Sequence, residues 1–235
     1  MSFRFLWLFP QKTFTGRQDI YMKTKNNPWL DIQIEDYEKH MAAPSVIQLQ
    51  MLDTIFEEVL DKSSPASVCV LGCTAGNGFQ HLINRNLKRV VGIDINQIYL
   101  AECRAWFIED VPNLELICAD LNEFDLNEDV FDLIHAALIF EYVEVGPVLA
   151  KIHKWLKPGG ILSVVLQVPS ELSSPVSETN CVPLQRLSSL MHLIKPADFK
   201  DIASENGLME LGSKEIELKK GKSFYAGIYE QLQNN

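Results

Sequence analysis

The 235-residue chain has no run of 18 or more apolar residues, so no membrane-spanning helix is expected. Basic charge is scarce: 21 Lys and Arg stand against 31 Asp and Glu, a net charge of −10. Holding a nucleic-acid backbone requires a basic face, so nucleic acid is not an expected partner. The five cysteines (Cys69, Cys73, Cys103, Cys118 and Cys181) include no Cys-x-x-Cys pair. Neither a metal site nor a disulfide framework follows from them, and reduced thiols in the cytoplasm are the expected state. No internal repeat is visible. Hydrophobic residues make up 47% and charged residues 22%, which suits one domain with a sizeable core.

The informative stretch is 68–96. An apolar run, 68–71, leads into a G-x-x-x-G-x-G loop formed by Gly72, Gly76 and Gly78. A helix is expected from there to about residue 86, then a second apolar run, 90–93, closed by Asp94. This is the pattern of a parallel β-α-β unit, which binds ligands at the carboxyl ends of its strands. The glycines let the backbone approach a ligand closely, and the start of the helix would offer free N–H groups. Asp94 is placed to accept hydrogen bonds from a pair of ribose hydroxyls. A nucleoside-bearing cofactor is therefore expected.

The loop spacing is not the dinucleotide fingerprint G-x-G-x-x-G. It also occurs in short-chain reductases, but these need a downstream Tyr-x-x-x-Lys, and the one present, Tyr21 to Lys25, lies upstream. The loop resembles motif I of class I S-adenosylmethionine (SAM) dependent methyltransferases, usually D-x-G-C-G-T-G-x-G. Three later segments resemble the same family in the right order: CADLNEF at 118–124, FDLIHAALIFEYV at 131–143 and LKPGG at 156–160. Four ordered matches are far more specific than one. Two positions depart from the motif: Val70 stands where the family carries an acid, and Thr74 where it usually has glycine. The hydrogen bonds normally placed by that acid must be made elsewhere.

The resemblance implies an α/β fold: a Rossmann-like, seven-stranded, mostly parallel sheet of order 3-2-1-4-5-7-6 with helices on both faces. It implies SAM as cofactor, S-adenosyl-L-homocysteine (SAH) as product, and in-line methyl displacement. Acidic charge and an apparent lid favour a small-molecule acceptor. Gly72, Cys73, Gly76 and Gly78 would turn around the methionine part, and Asp94 would hold the ribose. Ile95 and Leu121 would cover the adenine, with Asp120 near its amino group. His135 and Ala136, at the end of the fourth strand, would face the methionine half. Glu141 is the carboxylate expected near the transferred methyl, as a proton acceptor. The bland alternative is a solvated acid in a first helical turn. On an N-terminal cover, Tyr37 would meet the cofactor and His40 would be a second candidate for catalysis; both could equally be helix-face residues with solvated tips.

Around this core, residues 1–28 are expected to be a poorly ordered extension and 29–61 a helical cover, with helices over 35–42 and 45–61. Residues 169–183, rich in Ser and Pro, open an acceptor-side cap spanning 169–194. The remaining expected strands are 114–118, 130–135 and 161–168, with a terminal hairpin of 207–218 and 223–231. Further helices are expected over 96–108, 148–155, 184–194 and 196–205. Two other functions are compatible with the fold. An aminopropyltransferase-like enzyme would show extra acids near Asp120 and His135, and a non-enzymatic SAM or SAH binder would show no turnover.

Overall fold

Alternating apolar runs and helical periodicities assemble into one seven-stranded sheet in a computed structural model that describes residues 27–126, 130–171, 174–177 and 182–232. The strands are β1 (Ser67–Leu71), β2 (Arg89–Asp94), β3 (Leu114–Cys118), β4 (Phe131–Ala137), β5 (Leu156–Gln167), β6 (Leu208–Glu217) and β7 (Ser223–Gln231). Their spatial order is β3-β2-β1-β4-β5-β7-β6. The first five run parallel, while β7 is antiparallel to both β5 and β6. β1 is buried along its whole length, as expected of a central parallel strand covered on both faces.

Helices α1 (Ile34–Met41), α2 (Gln48–Ser63), α3 (Gln97–Phe107), α4 (Val145–Trp155), α5 (Val182–Gln185) and α6 (Pro196–Glu205) complete the described elements together with short 3-10 turns. Two apolar cores flank the sheet. On one face, Ile55, Phe56 and Leu60 of α2 and Leu100 and Cys103 of α3 pack with Val68, Val90 and Leu133. On the other, Leu149, Ile152 and Trp155 of α4 and Phe199 and Ala203 of α6 pack with Leu71, Ile93 and Ile134. A small third core, Ile32, Val176, Leu184 and Leu187, joins the N-terminal cover to the cap segment over the sheet's carboxyl edge.

Three expectations change. No α-helix follows the glycine loop; a single 3-10 turn, Phe79–Leu82, stands there. Gly78 enters it at φ +87°, Ile83 leaves it extended, and Asn84 adopts φ +62°, so the chain is turned away at both ends after four residues. The LKPGG segment is the first part of β5 rather than a loop before it, because α4 ends at Trp155 and Leu156 already pairs with Phe131. The expected helix over 184–194 is a four-residue α5 followed by a 3-10 turn, Arg186–Ser189. Of the N-terminal extension, residues 1–26 lie outside the described residues, as does Cys181 in the cap.

Candidate active site

The carboxyl ends of β1, β2 and β4 gather the candidate residues. Gly72 N and Cys73 N both donate to Ile93 O, at 2.8 and 3.1 Å, and Thr74 N donates to Asp94 Oδ2 at 2.9 Å. The glycine loop is thus anchored on the end of β2. This is how the chain manages with Val70, a buried core residue of β1, where an acid would otherwise hold the loop. Thr74 sits at φ +50°, a left-handed conformation that suits glycine and that a β-branched residue adopts only under strain.

Asp94 is buried and binds a backbone N–H with each oxygen: Thr74 N at Oδ2 and Asn96 N at Oδ1, 2.8 Å away. Burial pushes its carboxyl upward, and the N–H groups of Asn96 and Thr74 pull it back. Asn96 also caps α3, its Oδ1 accepting from Ile98 N at 2.9 Å, while its Nδ2 donates to Trp29 O at 2.8 Å. Tyr99 Oη donates to Ile32 O at 2.8 Å. These two bonds tie the N-terminal cover to the nucleoside end of the sheet. On the far side of Asp94, Lys151 Nζ donates to the carbonyls of Leu121 and Asn122, and Asp120 Oδ1 accepts from Asn122 N at 2.9 Å, which fixes the turn after β3.

Two cavities open here. The first, about 150 Å³, is walled by Tyr37, His40, Gly72, Asp94, Ile95, Asp120 and Leu121 among the expected residues. The second, about 630 Å³, lies against the glycine loop and is walled by Tyr37, Gly72, Cys73, Gly76, Gly78 and His135. Tyr37, Gly72, Thr74 and Ala137 belong to both walls and mark where the cavities meet. Gly76 and Gly78, at φ +89° and +87°, are close-approach positions toward the protein's own rings: a Cβ there would lie 2.8 Å from Phe107 and from Phe56.

Two expected residues are on neither wall. Ala136 is fully buried in the core, and its neighbour Ala137 takes the cavity-facing place, as the alternation of a strand requires. Glu141 is 0% exposed and lies behind the cavity, so it is neither the solvated acid of the bland reading nor a wall residue beside a methyl acceptor. Its Oε1 accepts from Gln167 N at 2.7 Å, its Oε2 has no hydrogen-bond partner, and burial pushes the carboxyl up to about 7. It clamps the end of β5. His135 is buried, with Nδ1 3.1 Å from Ser163 Oγ and its ring stacked on Phe56; burial pushes it down to about 4. His40 is held below the ordinary imidazole value by burial and by the charge of Lys222.

Several wall residues carry no sequence signal of their own. Trp29, Gln48, Gln167 and Lys222 line the first cavity, yet Lys222 belongs to a Lys-Lys-Gly-Lys turn that reads as an ordinary solvated hairpin tip. Thr74 Oγ1, buried on the wall, has no hydrogen-bond partner among the described residues. Among the same residues no group of three His, Cys, Asp or Glu side chains could hold a metal ion, and no helix is long and apolar enough to cross a membrane.

The sheet order and the carboxylate at the end of β2 define the fold of the class I methyltransferases. Residues 68–160 match the family model described as a methyltransferase domain. Phosphoethanolamine N-methyltransferase 1 of Triticum aestivum is 27% identical over 159 residues, covering 64% of this chain and 32% of that protein. Carboxy-S-adenosyl-L-methionine synthase of Shewanella sediminis (strain HAW-EB3) is 22% identical over 156 residues, covering 57% and 63%. The chain therefore spans about a third of the length of the wheat relative and under two thirds of the bacterial one. Among solved structures, N-methyltransferase NodS from Bradyrhizobium japonicum WM9, in complex with SAH, superposes with a TM-score of 0.62 at 16% identity over 85% of this chain and 98% of that one. The [4+2]-cyclase SpnF does so with a TM-score of 0.64 at 14% identity over 77% and 82%. At these identities the likeness is one of fold.

Proposed function

We propose that the protein is a SAM-dependent methyltransferase of the cytoplasm acting on a small-molecule acceptor. The observation that carries this reading is Asp94: a buried carboxylate, fixed by two backbone N–H groups, on the wall of a cavity at the carboxyl end of β2. Each oxygen keeps acceptor capacity for a hydroxyl, and a vicinal ribose diol presents two. The surroundings fit the rest of the cofactor. Ile95 and Leu121 offer apolar cover to a purine, Asp120 an acceptor for its amino group, and the unpartnered Thr74 Oγ1 a polar contact where the two cavities meet.

SAM supplies a methyl group already activated by its positive sulfur. The protein has then to align the acceptor, exclude water and, where needed, take a proton. Water is excluded by the small core that joins Ile32 of the cover to Leu184 and Leu187 of the cap. His40, held neutral at pH 7 by burial and Lys222, is a wall residue able to accept a proton from an acceptor N–H or O–H. Small side chains at Ala137 and Gly72 leave room beside the loop.

A nicotinamide-dependent reductase is disfavoured by the element after the glycine loop, since a four-residue 3-10 turn lacks the helix start that receives a pyrophosphate. The first cavity offers an aminopropyltransferase no further acid, since its wall carboxylates are Asp94 and Asp120 with a lysine at the acceptor side, while Glu35, Glu38, Asp53 and Glu102 line the second. SpnF, named a cyclase, is a reminder that the fold alone does not dictate the reaction. Transfer of labelled methyl from SAM to a panel of small amines, alcohols and acids tests the proposal. Turnover with at least one acceptor is the expected result, and SAH binding without turnover on any would favour a pure binder.

A further inference from the structure

Lys222 is an unusual lining residue. It is 6% exposed, lies on the wall of the first cavity, and its Nζ donates to Pro175 O at 2.8 Å. Among the described residues no carboxylate lies within ion-pair distance of this ammonium. A lysine has three N–H donors, and one neutral carbonyl satisfies a single one. A buried charge without a counter-charge is costly and is normally paired. Burial, and secondarily Lys220, pushes this lysine down to about 8, so at pH 7 it still carries its charge.

Its position separates it from the cofactor end. Lys222 precedes the first residue of β7, whose Phe224 pairs with Gln167 at the carboxyl end of β5. From β2, which carries Asp94, the sheet runs through β1, β4 and β5 to β7. Four strand spacings amount to about 19 Å, and the three from β1 to about 14 Å. The carboxylates of the cavity wall, Asp94 and Asp120, thus sit at one end of the site and the ammonium at the other. Beside Lys222 the wall carries His40 and Gln48, whose Nε2 reaches Gln167 Oε1 at 3.4 Å. Gln167 Nε2 shares Pro175 O with the lysine, at 2.9 Å, so the cap carbonyl already gathers both donors.

We infer that the acceptor carries an oxyanion, a carboxylate or a phosphate monoester, which Lys222 receives at the β5–β7 end of the cavity. The inference rests on the methyltransferase reading for what the opposite end holds. It specifies the substrate: a small acid whose nucleophile lies some way from its anionic group, with the anion as handle.

The test is a titration of the full chain, saturated with SAH, with inorganic phosphate and in parallel with acetate, at constant ionic strength in chloride. Wild type is expected to bind at least one of them saturably, and the stronger of the two identifies a phosphate ester or a carboxylate as the acceptor's handle. Lys222→Met is expected to weaken that binding at least tenfold while SAH affinity stays within twofold. Equal anion binding by both proteins, or none by wild type, overturns the inference. So does a tenfold loss of SAH affinity in Lys222→Met, which would put the lysine on the cofactor's own carboxylate. Should that variant not fold, wild type alone decides: tetramethylammonium must fail to compete with the anion, and competition would contradict a cationic subsite. Absence of SAH binding by wild type would sink the methyltransferase reading instead, and the same anion titration on the cofactor-free protein would still judge Lys222.

Discussion

Asp94 and Glu141 are both buried carboxylates within the same motif-bearing half of the chain, and the structure gives them opposite tasks. Asp94 faces a cavity with two backbone N–H groups holding it in register. Asp94→Asn keeps the size and one acceptor but loses the charge. Hydrogen bonds to charged groups contribute about 1.5–3 kcal/mol, so SAH affinity is expected to fall on the order of 10- to 100-fold by calorimetry. Unchanged affinity would remove Asp94 from the ribose. Glu141 faces no cavity and has one oxygen unpartnered. With its folded-state value raised to about 7, the native protein holds a proton that the unfolded chain releases from about pH 4.5 upward. Stability contributed at this site is therefore present in acid and is lost as pH rises from about 4.5 to 7, by on the order of 3 kcal/mol. Glu141→Gln keeps an oxygen for Gln167 N–H and carries no charge. It should melt higher than wild type at pH 8, by roughly 5 °C, with the gap closing toward pH 5. A gap independent of pH would refute the titration, and loss of turnover in a stable Glu141→Gln protein would restore it as a proton acceptor.

At the scale of elements, much was legible. The strands 114–118 and 223–231 and the helix 196–205 fall where apolar alternation and helical spacing put them. Three of the four ordered motifs lie at the carboxyl ends of β1, β3 and β4 and so point to the cavities, while LKPGG opens β5 at the opposite edge of the sheet. What escaped detection has physical reasons. The turn after the glycine loop looks helical in composition, but backbone signs at Gly78 and Asn84 cut it short, and local φ is not written in apolar periodicity. Glu141 could not be told from a solvated acid, since burial there depends on β5 closing over it. Lys222 was hidden because a hairpin tip is normally wet, whereas here it is buried with its ammonium on Pro175 O of the cap segment. The loop itself is testable at this scale. Gly78→Ala combines φ +87° with a Cβ 2.8 Å from Phe56, and is expected to cost about 1–3 kcal/mol. Gly212→Ala, with nothing within 4 Å of the new Cβ, serves as the control and should be within about 0.5 kcal/mol of wild type. Equal melting temperatures for the two variants would mean that the loop is not packed against α2 as described.

For the whole molecule, cover, sheet edge and cap form one arrangement around the first cavity. Asn96, the N-cap residue of α3, and Tyr99 within that helix tie down the cover, and Ile32 packs it against the cap. A ligand that fills the cavity binds the native state alone and must stabilise all three parts together. At about 100 times its dissociation constant, that stabilisation is roughly 2.7 kcal/mol, or on the order of 5–10 °C for a chain of this length.

The measurement that bears most directly on the cofactor site is isothermal calorimetry of wild type and Asp94→Asn with SAH and, separately, with NADH. Saturable SAH binding by wild type, weakened on the order of tenfold or more in Asp94→Asn and accompanied by no NADH binding, is the result expected. Binding of NADH and not SAH, or SAH binding indifferent to Asp94, would contradict the assignment of this cavity to S-adenosylmethionine.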